Sequence, residues 1–86
     1  MVKNGLFIFK NGDQIWFAND RYHRLNGPAF KCDFCKCWYK NGIPNRVGGP
    51  TIEWSDGKKD WYHQGKWVNC YSQKEFERYV NLLPFA

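Results

Sequence analysis

The sequence predicts a mostly β protein: a repeated antiparallel β-meander of two full units and a half unit at each end, covered by one C-terminal α-helix. Three observations predict it. Trp16, Trp38 and Trp61 recur about 22 residues apart, a period that signals stacked units. Short runs of β-formers alternate with Asn-Gly and Asp-Gly dipeptides. An amphipathic pattern with a capping signature begins only after Cys70.

The repeat is legible residue by residue. Arg24 returns as Arg46, Gly27-Pro28 as Gly49-Pro50, and Phe30 as Ile52. The segment from Phe9 to Trp16 matches Trp54 to Trp61 in spacing, so the N-terminus reads as a half unit, and another starts at Trp61. Incomplete terminal units are expected where a stack must be capped. Asn11-Gly12, Asn41-Gly42 and Asp56-Gly57 are the dipeptides of two-residue hairpin loops, and Gln64-Gly65 is a weaker version. The Gly-Pro steps mark strand entries, and segments 20–26 and 43–48 read as connectors to the next unit.

The chain reads as one domain, residues 1–86, with the β-repeat over 5–70 and the helix over 72–83. Ser72 and Glu75 form a capping box, Phe76, Tyr79, Val80 and Leu83 make one apolar stripe, and Pro84 ends the run. A helix of about three turns is marginal alone, so the stripe is expected to lie on the sheet. An 86-residue chain buries only roughly 60–65% of its unfolded surface. Aromatic residues at 20%, five of them Trp, compensate. No apolar run is long enough to span a bilayer, and Leu6 to Phe9 is too short for a signal-peptide core. The expected location is the cytoplasm.

The motif Trp38-Tyr39-Lys40-Asn41-Gly42, with His23-Arg24-Leu25-Asn26-Gly27-Pro28-Ala29 and Asp56-Gly57, resembles a repeat of phage and large-virus proteins. That repeat is itself distantly similar to MORN-like variant repeats. Unit two departs with Asn45-Arg46 for His-Arg and Thr51 for Ala, and unit one replaces Asp-Gly with Asp33-Phe34-Cys35. The resemblance covers about residues 5–70 and implies a β-repeat scaffold of viral origin. It implies no reaction.

Catalytic constellations are absent from the sequence: no nucleophile elbow, phosphate-binding glycine loop or zinc-protease helix motif. The chain reads as a non-enzyme. Cys32, Cys35 and Cys37 span a hairpin, and with Cys70 they are the candidate zinc ligands. Cys32 also aligns with Phe9 and Trp54, however, where a free thiol is a small hydrophobe; zinc ligands and a disulfide are the alternatives to ordinary thiols, which are the favoured reading, and no cofactor is expected. His23 reads as a tie to backbone. Arg24 and Arg46 read either as caps on the carbonyls of the following turn or as a ladder for anionic groups.

The doublets Trp16-Phe17, Trp38-Tyr39 and Trp61-Tyr62 put one aromatic on each sheet face. Two-residue turns would pair Ile52 with Trp61 and Phe7 with Trp16. The Trp column is then inner, with Ile52 and Trp54 beside it, and Phe17, Tyr39 and Tyr62 are outer and available for binding. The expected function is a small protein-binding module, engaging a host protein such as a CRISPR or other defence effector. The rival is a single-stranded nucleic-acid binder using these aromatics and the net charge of +5.

Overall fold

The computed structural model describes residues 2–83, so Pro84, expected to end the helix, lies outside the described residues. Among the described residues the fold is an antiparallel meander with one C-terminal helix. Seven strands run in the order β1 (Gly5–Ile8), β2 (Gln14–Ala18), β4 (Phe30–Lys31), β5 (Cys35–Cys37), β8 (Ile52–Trp54), β9 (Lys59–His63) and β10 (Lys66–Val68). β3 (Arg21–Tyr22) pairs with the far half of β2, and β6 (Tyr39–Lys40) pairs with β7 (Ile43–Pro44). The segments read as connectors therefore contribute strands. Gly42 N–H to Tyr22 O (2.8 Å) and Arg24 N–H to Tyr39 O (3.3 Å) stitch one unit's hairpin to the next. His23 Nδ1 accepts the Asn41 N–H at 3.0 Å, which ties it to backbone.

The register differs from the expectation by one residue at two hairpins. Ile52 faces Asp60 and Glu53 faces Lys59, while Phe7 faces Ile15 and Leu6 faces Trp16. The cause is loop length. At Asn41-Gly42 and Gln64-Gly65 both residues have positive φ, the mirror-image geometry of a two-residue loop. At 11–12 and 56–57 only the glycine does (φ 91° and 94°), so each loop holds three residues and closes on Phe9–Asp13 or Trp54–Lys58. The Asn11 and Asp56 carboxamide or carboxylate oxygens accept the N–H two residues on, stabilising that right-handed step. A further two-residue turn, Asn19-Asp20, lacks glycine altogether. Cys32–Cys35 closes on two residues. The shorter loop accounts for the first two tryptophans lying one residue closer than the last two.

The slip redistributes the faces. Phe7, Ile15, Phe30, Cys37, Ile52 and Asp60 are successive cross-strand partners and so share one face. Alternation adds Phe17, Tyr39, Trp54 and Tyr62 to it. Trp16, Trp38 and Trp61 lie on the other face, separated from Ile52, Trp54 and Phe7, which the expected register had put beside them.

The connectors and the helix fold over the Trp face, burying Trp61 and leaving Trp16 and Trp38 half-buried. After β3 the chain leaves the sheet, and Arg24 folds back over Trp16, its guanidinium 4.3 Å from the ring centre. Arg46 repeats this over Trp38 at 3.7 Å. Each Nη1 then donates to a proline carbonyl, Pro28 at 3.3 Å and Pro50 at 3.0 Å. Beneath these loops Ala29 and Thr51 are 0% and 1% exposed. At the third position α1 (Gln73–Leu82) supplies the cover: Trp61 packs with Val68 and Phe76, and its Nε1 donates to Gln73 Oε1 at 2.7 Å.

The helix thus caps one end of the meander instead of covering the whole sheet. Ser72 Oγ accepts the Glu75 N–H at 3.1 Å, and Glu75 reaches back to the Tyr71 N–H. The helix packs on β9 and β10 through Trp61 and Val68, and its buried stripe is narrow. Phe76 is buried and Val80 half-buried, but Tyr79, expected in the stripe, is exposed.

Candidate functional site: the open aromatic face

The helix does not pack on the second face, yet Ile15 and Cys37 at its centre are buried, and its aromatics cover one another. Phe7 meets Phe17 edge to face at 5.3 Å, Phe17 meets Tyr22 at 5.5 Å, and Tyr22 meets Tyr39 at 5.3 Å and stacks parallel to Phe30 at 6.2 Å. These are favourable aromatic geometries, each worth about 0.5–1.5 kcal/mol beyond burial. They leave Phe17 and Tyr39 half-buried, presenting part of each ring to solvent. Burial raises the Tyr39 hydroxyl pKa above the usual tyrosine value, with nearby Cys37, Tyr22 and Tyr62 adding to it. Lys3 Nζ stands 5.5 Å over the Phe17 ring at one end of the row.

At the other end is a feature that the repeat did not point to. Asp60 lies on this face between two indoles. Trp54 Nε1 donates to Asp60 Oδ2 at 2.8 Å, and Trp67 Nε1 donates to Oδ1 at 3.2 Å. Trp54 is 39% exposed and Trp67 57%. Tyr62 is the direct cross-strand partner of Trp67 and half-buried, so it belongs to the same patch. One carboxylate therefore fixes two large, solvent-facing rings. Trp67 stands where the other units have Tyr22 and Pro44, so periodicity gives it no counterpart.

The remaining sequence candidates separate by face. Arg24 and Arg46 are committed to the Trp side, and Arg46 also pairs with Glu53 at 3.0 Å. Lys31 and Lys36 are direct partners on that side, with Glu53 and Lys59 continuing the row. Cys32, Cys35 and Cys37 lie on the open face, with Cys32 Sγ 3.4 Å and Cys37 Sγ 3.7 Å from Cys35 Sγ. Burial pushes the Cys35 thiol up to about 12, and its two thiol neighbours add to the rise. Cys70 lies apart, against the Trp61, Val68 and Phe76 cluster. Among the described residues no group of three or more His, Cys, Asp or Glu is arranged to hold a metal ion. Nor is any described helix long and apolar enough to cross a membrane.

No family model matches this chain, and comparisons with curated proteins and with solved structures found no match.

Proposed function

We propose that the chain is a non-enzymatic protein-binding module whose contact surface is the open aromatic face. Trp54 and Trp67, held on Asp60, are the anchors, and Tyr62, Tyr39 and Phe17 extend the contact along the sheet. The single observation that carries this reading is the shared carboxylate. Tryptophan dominates binding energy at protein interfaces, and a ring already fixed in place loses little entropy on binding. Soluble proteins seldom leave such rings in water without use.

The partner that fits is a protein surface with an apolar centre and an acidic rim. Lys3 borders the aromatic row at one end, and Lys58 lies opposite Trp54 at the other. A host protein is the partner class that the viral-repeat resemblance suggests, and a defence effector in the host cytoplasm is one member of it. The nucleic-acid reading needs cations and stacking rings along one path. Here Lys31, Lys36 and Lys59 stand on the face opposite the aromatic row, which favours protein.

The test is affinity capture from nuclease-treated host lysate on wild type and on Trp54→Ala/Trp67→Ala, with Val47→Ala as control. Val47 is exposed on the connector between β7 and β8, outside both of these strands. Loss of one captured protein on the double variant alone, at equal folded content, supports the reading. Equal capture on all three columns, or capture abolished by nuclease, refutes it.

A further inference from the structure

The geometry points to Cys32 and Cys35 as a reversible disulfide pair, closed by exchange with a small-molecule disulfide such as oxidised glutathione. The two residues face each other across the two-residue turn Asp33-Phe34, with Cys32 N–H donating to Cys35 O at 3.0 Å. Hydrogen-bonded antiparallel partners have Cα atoms about 5.5 Å apart, within the usual disulfide span. Their sulfurs already lie 3.4 Å apart, so a small rotation of each side chain brings them to bonding distance. The Phe34 N–H donates to Cys32 Sγ at 3.4 Å and holds that sulfur over the turn.

The third thiol is close but differently placed. Cys35 and Cys37 are two apart on one strand, which separates their Cα atoms by about 6.6–6.8 Å, at the far limit for a disulfide. Cys37 is also buried, whereas Cys32 and Cys35 are partly exposed and reachable by a small oxidant. The pairing is therefore specific. In the first step a Cys32 thiolate attacks oxidised glutathione, forming a mixed disulfide and releasing one glutathione thiolate. In the second, the Cys35 thiolate attacks the Cys32 sulfur of that mixed disulfide, forming the protein disulfide and releasing the second glutathione. The two protein thiol protons pass to the two departing thiolates. The high pKa of Cys35 supports the product: no stabilised thiolate favours the reduced state, unlike strongly oxidising Cys-x2-Cys pairs.

Trypsin separates the outcomes, because Lys31, Lys36 and Lys40 put Cys32 and Cys35 in one peptide and Cys37 in the next. Folded protein is equilibrated with oxidised and reduced glutathione, quenched in acid, alkylated in denaturant and digested. The expected result is peptide 32–36 lighter by two hydrogens with both alkylation sites lost, and peptide 37–40 alkylated. Cys37→Ser should oxidise to the same extent as wild type, and equilibration in urea should lower the oxidised fraction. A fully alkylated peptide 32–36, a persistent glutathione adduct, a cross-link between the two peptides, or equal oxidation in urea overturns the inference.

Discussion

Gly49→Ala tests whether the arginine loops hold the meander together. A Cβ at Gly49 would stand 2.6 Å from Arg46 Cζ and 2.7 Å from Nη1. Gly49 does not have positive φ, unlike Gly48, so alanine is compatible with the backbone and its whole cost falls on Arg46. The guanidinium is the far end of a flexible side chain, so it moves, and its contacts are lost with it. Stacking on Trp38 is worth about 1 kcal/mol. The bond to Pro50 O is worth about 1 kcal/mol. The half-exposed pair with Glu53 contributes about 0.5 kcal/mol. Alanine returns about 0.5 kcal/mol by restricting the unfolded chain. The net loss is about 2 kcal/mol, and with a urea slope near 1 kcal/mol/M the midpoint should fall by about 2 M. In an Arg46→Ala background the same substitution should instead stabilise by about 0.5 kcal/mol. An equal loss in both backgrounds refutes the guanidinium as the target.

Three further expectations follow from packing and titration. Phe76→Ala removes the helix's one buried side chain and should cost about 3–5 kcal/mol, read as loss of the urea transition at 25 °C. Tyr39→Ala breaks the edge contact with Tyr22 and should lower stability by about 1–2 kcal/mol, whereas Trp67→Ala, at an exposed ring with one bond to Asp60, should cost no more than about 1 kcal/mol by the same measurement. The thiols of Cys35, Cys37 and Cys70 are all pushed up by burial, so above the ordinary thiol value of 9.0 the unfolded chain releases protons that the folded chain retains. Stability is therefore full below that value and falls as pH rises towards the folded values. Urea midpoints at about pH 7 and about pH 10 should differ less in Cys35→Ser than in wild type, and identical differences would contradict the assignment.

The units, the hairpins and the capped helix could be read from the sequence because each has a local cause: recurring tryptophans, loop dipeptides, and Ser72 with Glu75. Register could not, because an Asn-Gly dipeptide serves two loops. At 41–42 it fills a two-residue turn, whereas at 11–12 its glycine closes a three-residue one: Asn41 has positive φ and Lys40 is a strand partner, while Asn11 does not and Lys10 belongs to the loop. The one-residue inequality in tryptophan spacing was the available signal. Arg24 and Gly27 each recur, but that the glycine makes room for the guanidinium over Trp16 is a tertiary fact. The Trp54–Asp60–Trp67 site was hidden for the same reason. Two-residue pairing at 56–57 puts Asp60 on the face opposite Trp54, and only the observed register joins them.

Fluorine NMR of protein carrying 5-fluorotryptophan tests the binding face most directly, because each of the five indoles reports separately. On addition of the captured partner, the Trp54 and Trp67 resonances should shift or broaden, while those of Trp16, Trp38 and Trp61, under Arg24, Arg46 and the helix, stay in place. Perturbation of the three covered indoles with Trp54 and Trp67 unmoved would put the partner on the opposite face and contradict the proposal.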